Sequence, residues 1–207
     1  DFEHTFNIPT KITVTEYKRL YEVVDEESDG KPIYDLEVSV MPVFMDNTSK
    51  IKGAARGSIV HFIMQNLDLS KNLDLQGVTN QIVLMGKNGM LTNEQISCVS
   101  AKDITMFFES NLGKRLVKSR NIKREVSFVM PMIAKDIYDG DADEEILVQG
   151  MIDCYFVEDD KIVLIDYKTD WVNNIEEIGK KYQLQLDLYS RAIEKITGMK
   201  VIEKYLY

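Results

Sequence analysis

The sequence is poor in what several protein classes require. Its two cysteines, Cys98 and Cys154, lack CxxC spacing, so neither a disulfide framework nor a four-cysteine zinc or iron–sulfur site can be built. A reducing cytoplasm is therefore the expected compartment. No apolar run approaches the roughly 20 residues of a membrane helix, and the opening Asp1-Phe2-Glu3-His4 is no signal peptide. A GxxxxGK[ST] phosphate loop is absent. So is an initiator methionine, as expected of a fragment or a processed piece of a longer protein. Positive charge is also scarce: 25 Lys and Arg against 34 Asp and Glu leave a net −9. That balance argues against a protein that coats nucleic acid by bulk electrostatics.

What is present suffices for a core. With 207 residues, 44% of them hydrophobic, the chain is expected to form one domain with an arm, the arm over residues 1–52 and the core over 53–207. In the arm, residues 10–24 read as a helix, with Thr13 and Glu16 as a capping box and Tyr17, Leu20, Tyr21 and Val24 on one face. Residues 25–31 are an acidic spacer, and residues 32–52, with two prolines, are irregular with one short strand. The stretch 53–69 is a second helix, apolar nearly all round, which buries His61. A histidine there is either a core residue satisfied by a carbonyl or a metal ligand. Thr92 to Gln95 is another capping box that opens a short helix, and a longer one runs from Ser100 through Phe107, Phe108 and Leu112 to Gly113. Lys114, Arg115, Lys118, Arg120, Lys123 and Arg124 then fall within eleven residues without an acid. They form either a solvated helix end and loop or a path for phosphates.

The stretch from Gly150 to Asp170 organises the rest. Two β-rich runs, 151–157 and 162–167, flank the tip Glu158-Asp159-Asp160-Lys161, the pattern of a β-hairpin. A turn centred between Asp159 and Asp160 sets Glu158 opposite Lys161 and Asp153 opposite Asp166. The two aspartates then share a face with Cβ atoms about 4.5 to 5.5 Å apart, and Lys168 joins them by strand alternation. A bulge or an odd-length loop would instead turn one acid to the other face. Like charges beside Val163, Leu164 and Ile165 need a cation: a divalent metal with oxygen ligands fits, and the ammonium adds a second positive charge. Residues 124–133 and 145–156 read as two further strands, making a three-stranded meander. The acidic tip between them, from Asp139, fails as an EF-hand, with Glu144 where the loop needs glycine and Gly150 where it needs glutamate. A last helix, capped by Asn173 or Asn174 and closed by Gly198, carries Ile178, Tyr182, Gln185, Tyr189, Ala192 and Ile196 on one stripe, ahead of a strand at 201–207. That stripe is either plain core or an amide and hydroxyls offered to a backbone or base.

Several of these stretches resemble the RecB-family branch of the PD-(D/E)XK nucleases, as found at the C-terminal end of AddA-type bacterial helicase–nucleases. The resemblance rests on the opening ITVTEYKR, on Gly57-Ser58-Ile59-Val60-His61, on Gly150-Met151-Ile152-Asp153, on Asp166-Tyr167-Lys168-Thr169, and on the Gln185 to Tyr189 QxxxY element preceded by Tyr182. These lie in the family's order and span most of the chain. The resemblance implies an α/β (mixed α+β) fold: a restriction-endonuclease-like central mixed sheet with an antiparallel hairpin, flanked by helices. It implies that His61, Asp153 and Asp166, with the Tyr167 carbonyl, hold Mg²⁺ or Mn²⁺, and that Asp153, Asp166 and Lys168 are catalytic. Gln185, Tyr189 and Tyr182 would contact DNA, and Glu125 would be a supporting residue. The implied reaction is hydrolysis of single-stranded DNA during double-strand break repair. The implied partners are DNA, helicase domains of the same parent chain and a second, AddB-like nuclease subunit, with no membrane. A catalytically silent docking or DNA-gripping module and a stand-alone repair exonuclease are the alternatives.

Overall fold

The computed structural model describes residues 9–25, 51, 53–138, 143–168 and 175–207, without the side chains of 21–25 and 175–181. The expected acidic spacer 25–31 beyond Asp25, the irregular segment 32–52 apart from residue 51, the arm boundary at residue 52, residues 139–142 of the acidic tip 139–145, and the Asn173 or Asn174 cap lie outside the described residues. Two compact units arise, residues 1–50 with 129–150, and residues 51–128 with 151–207.

In the first unit a strand, β1 (Lys11–Thr13), leads straight into a helix, α1 (Val14–Asp25). The Thr13–Glu16 capping box forms as expected: Thr13 N–H donates to Glu16 Oε2 at 2.7 Å and Glu16 N–H to Thr13 Oγ1 at 3.1 Å. Because Thr13 is the cap, the residues before it are not helical, which corrects the expected start at Thr10. They pair in parallel with a long strand, β3 (Glu145–Glu158), Lys11 beside Leu147 and Thr13 beside Gln149. Ile12, Val14 and Tyr17 are buried there.

The second unit carries the helices α2 (Gly53–Asn66), α3 (Leu75–Lys87), α4 (Asn93–Ser97), α5 (Ala101–Glu109), α6 (Asn111–Lys118) and α7 (Ile175–Thr197). Helix α3 has no counterpart in the sequence reading, although Asp74 caps it by accepting from Gly77 N–H at 2.8 Å and Val78, Ile82 and Met85 recur at helical spacing. The expected single helix from Ser100 to Gly113 is two. Ser110 leaves helical geometry at ψ 163°, ends α5 through its N–H, and caps α6 by accepting from Gly113 N–H at 3.1 Å. Gly113 makes the join possible, since a Cβ there would lie 2.1 Å from the Phe107 carbonyl oxygen.

With β4 (Lys161–Asp166) and β5 (Val201–Leu206), the strands form a five-stranded mixed sheet in the order β1-β3-β4-β5, with β2 (Ile122–Ile133) also against β3. The hairpin of β3 and β4 has the expected register, with Glu158 opposite Lys161 and Cys154 opposite Ile165. Its two-residue turn puts Asp159 at φ 49° and Asp160 at φ 57°, the pair of positive φ angles of a type I′ turn, whose twist suits two antiparallel strands. Helix α7, ended by Gly198 at φ 72°, is the crossover to β5, which lies parallel to β4. Val163, Ile165 and Tyr167 pack into the core formed with α2, α3, α5 and α6. Ile162, Leu164 and Asp166 alternate to the other face, and they too are buried. On α7 the buried stripe is Tyr182, Leu186, Tyr189, Ala192 and Ile193, whereas Ile196, expected on it, is 60% exposed.

The basic segment divides by role. Arg115, on α6, donates to Glu158 at 2.6 Å and to Glu203 at 2.8 Å, tying the hairpin's turn end to β5. Arg124 Nη1 donates to the Met64 and Leu67 carbonyls at the end of α2. The Arg115 guanidinium, helped by Tyr205, holds the Glu203 carboxyl down at about 2 against an ordinary 4.5. A carboxylate so depressed stabilises the fold fully above its unfolded pKa and loses that effect as the pH falls through the folded one. Glu203→Gln is expected to cost on the order of 1 kcal/mol at neutral pH, a modest value because a third of the side chain meets solvent. Denaturant titrations should show the difference from wild type shrinking as pH falls from about 4.5 toward 2.

Candidate active site

All the residues singled out on the hairpin, on α2 and on α7 lie in the second unit. Extending the hairpin register one step beyond Cys154 and Ile165 sets Asp153 opposite Asp166. Both are buried, at 8% and 1% exposure. Each oxygen of Asp153 has a partner: Oδ1 lies 3.3 Å from His61 Nδ1, and Oδ2 accepts the Tyr167 N–H at 2.7 Å. His61 is half-buried, not fully enclosed as expected, and its Nε2 hydrogen-bonds the Tyr167 carbonyl at 2.9 Å. The carbonyl-satisfied histidine and the ligand-like histidine are thus one side chain, with Nδ1 turned to the acids. Glu125 Oε1 completes the group, 4.0 Å from Nδ1. Ligand atoms of His61, Glu125 and Asp153 lie within 4.8 Å of one another.

Asp166 takes a second set of partners, on the α7 side. Its Oδ1 accepts from Gln185 Nε2 at 3.0 Å, and the same nitrogen donates to the Tyr189 hydroxyl at 2.9 Å. Its Oδ2 is sealed from solvent without a hydrogen-bond partner of good geometry among the described residues; the Lys168 ammonium meets it as a close ion pair. Lys168 Nζ also lies 4.7 Å from the centre of the Tyr182 ring, a cation–π contact. Tyr182 and Tyr189 are each 6% exposed. The α7 triplet therefore faces the acid and the lysine, and of the two sequence readings for Gln185 the observed contacts are to Asp166 and Tyr189.

The charges are strained in the expected direction. Burial pushes Asp166 up to about 6, against the pull of Lys168 and with the added push of Asp153. Glu125 is raised by burial and then by Asp153. His61 is raised above its ordinary 6.5 chiefly by its hydrogen bond to Asp153. Negative charge is crowded here beyond what the ammonium and imidazole offset, which is the setting for a cation. The Cys154 thiol, beneath the site, is pushed up to about 12 by burial and is chemically quiet.

Sequence reasoning missed how Glu125 reaches the site. In a regular strand Arg124 and Glu125 would point to opposite faces, yet Arg124 meets the α2 terminus and Glu125 meets His61 on the same helix. The cause is Glu125 itself, at φ 50° within β2. A left-handed glutamate costs about 1–2 kcal/mol. Nothing in the local sequence marks it, because glycine is the usual signal for such a kink. Glu125→Gly and Glu125→Ala both delete the carboxylate, but only glycine takes this φ freely. The glycine variant is expected to be the more stable by about 1 kcal/mol, the reverse of the order at an ordinary strand position. Parallel melts of the two variants would show it.

A mixed sheet flanked by helices, bearing an acid pair followed by lysine on a hairpin, has the architecture that the resemblance to RecB-family nucleases implies. Comparison with known proteins agrees. The chain is similar to the AddA-type subunit of the ATP-dependent helicase/nuclease of Thermoanaerobacter sp. (strain X514), 44% identical over 215 residues covering all of this chain. That of Clostridium novyi (strain NT) is 41% identical over 97% of the chain, and that of Clostridium botulinum (strain Loch Maree / Type A3) 38% identical over all of it. The match runs along the whole length of the chain and falls on the C-terminal region of these AddA-type proteins. It spans about 17% of the length of the curated relatives it matches. No family model matches the chain. Among the described residues no helix is long and apolar enough to cross a membrane.

Proposed function

We propose that the chain is the metal-dependent DNA nuclease module of a bacterial helicase–nuclease, hydrolysing phosphodiester bonds of single-stranded DNA in double-strand break repair and recombination. The observation that carries this reading is the partly buried group of His61, Glu125 and Asp153, with the Asp166–Lys168 pair beside it across the hairpin. The name that the relatives carry, ATP-dependent helicase/nuclease, supports it. Helicase domains of the same parent protein would feed the strand, and a second, AddB-like nuclease subunit is the proposed partner.

The donor set fits a hard divalent cation: two to three carboxylates, one imidazole, a carbonyl, and a buried Asp166 oxygen without a good hydrogen bond. Asp153, Asp166 and His61 are the residues proposed to hold it, with the Tyr167 carbonyl and Glu125 adjoining. Imidazole among the donors makes Mn²⁺ as suitable as Mg²⁺. Such an ion polarises a phosphoryl oxygen and acidifies water. Lys168 orients or deprotonates the attacking water, or offsets charge as water adds to phosphorus and an ester P–O bond breaks. Gln185 fixes the Asp166 carboxylate, and Tyr182 keeps the ammonium at the acid.

Digestion of linear single-stranded DNA with Mg²⁺ tests the reading. Asp166→Ala and Lys168→Ala should each lose at least about a hundredfold in rate, in line with the loss of a positioned catalytic group; activity equal to wild type in both would remove the assignment. Independently of turnover, Mn²⁺ should raise the melting temperature of the wild type. Asp153→Ala should abolish that rise, and a rise that survives would place the ion elsewhere.

A further inference from the structure

A cleft of about 340 Å³ opens beside Lys168, between one face of α2, α5 with the residues just before it, and the residue that follows β5. Its size is at the small end for ligand pockets, roughly 300–1,000 Å³, enough for one unpaired nucleotide and too small for a duplex. Val60, Met64 and Ile104 give it apolar walls. Phe107, fully buried, backs it and meets Tyr207 edge-to-face with ring centres 4.7 Å apart. Tyr207 is 42% exposed. Its backbone is fixed on both sides of the candidate catalytic segment, since Tyr207 N–H donates to the Asp166 carbonyl at 3.0 Å and Lys168 N–H donates to the Tyr207 carbonyl at 2.7 Å. An aromatic side chain is thus held at the rim of an apolar slot, next to the lysine of the cluster.

The cations of the cleft suit an anion at its mouth. Arg56 lines it along with Lys168. The Arg56 guanidinium faces Asp103 at 3.7 Å, with the two side chains 44% and 65% exposed. A pair so long and so open contributes little and can be exchanged for a stronger acceptor. A phosphate is that acceptor, because a guanidinium binds it through two parallel hydrogen bonds.

We propose that this cleft holds one nucleotide of the single strand next to the scissile phosphate, with its base against Tyr207 over the apolar walls and its phosphate on Arg56. The proposal rests on the nuclease reading for its ligand, and it names the residues that select an unpaired base. Stacking on an aromatic face is tolerant of sequence, so the cleft discriminates by strandedness and not by base identity.

The test measures binding of short fluorescent oligo(dT) to the 207-residue chain by anisotropy, in EDTA, where hydrolysis does not contribute. Tyr207→Ala and Arg56→Ala should each weaken binding about tenfold or more, Tyr207→Trp should restore it, and Asp103→Asn should tighten it by removing the competing carboxylate. Melting temperatures of the exposed-site variants Arg56→Ala and Asp103→Asn guard against loss of fold. Unchanged affinity in Tyr207→Ala and Arg56→Ala overturns the proposal, as does equal affinity for blunt duplex and single strand. If the wild type digests DNA while these variants bind like it, the cleft fails and the nuclease reading stands. If the variants lose binding while the wild type digests nothing, the cleft stands and the nuclease reading fails.

Discussion

Two carboxylates facing each other across a β-hairpin are a standing electrostatic cost, and much of the second unit is arranged around meeting it. Asp153 and Asp166 sit in a strand pair whose neighbours along the hairpin are mostly apolar and buried, so water and salt screen them weakly. Asp153 is balanced from α2 by an imidazole and from the chain by the Tyr167 N–H. Asp166 is balanced by Lys168 and an amide from α7. An imidazole from α2 and an amide from α7 thus each meet one acid of the hairpin, as buried polar groups require.

The balance is incomplete, and the shortfall is what the proposed cation would meet. Glu125 adds a third carboxylate through a strained backbone instead of relieving the other two. Strain that brings like charges together is maintained only when the surroundings over-determine it. Here Arg124, anchored on the α2 carbonyls, holds the kink from the adjacent position. The stored repulsion is what a divalent ion would release on binding, so affinity for the ion and instability without it have one origin.

The hairpin and its register were legible in the sequence because a two-residue acidic tip between β-rich runs leaves one pairing that buries both apolar sets. The capping boxes at Thr13 and Thr92 were legible for the same reason, each being a local hydrogen-bond pattern with its partner three residues away. What escaped was decided over long sequence separations. The break at Ser110 depends on how closely Gly113 can approach Phe107, and the inward turn of Tyr182 depends on where Lys168 lies. The short parallel strand before α1 was hidden because its partner is more than a hundred residues away, at Leu147. In the candidate site, the acid pair followed from strand alternation, whereas the kink at Glu125 carries no residue signature at all.

The Arg115 brace gives the hairpin two unlike ends. At the turn, a guanidinium clamps Glu158 and Glu203, so the ribbon is fixed there like a beam set in a wall. At the other end the aspartates are held by single hydrogen bonds and ion pairs, each exchangeable for another at small cost. A beam clamped at one end yields at its tip without pulling free. Small shifts of the carboxylates, of the kind that admitting an ion or a phosphate requires, can therefore occur without unzipping the ladder that carries them.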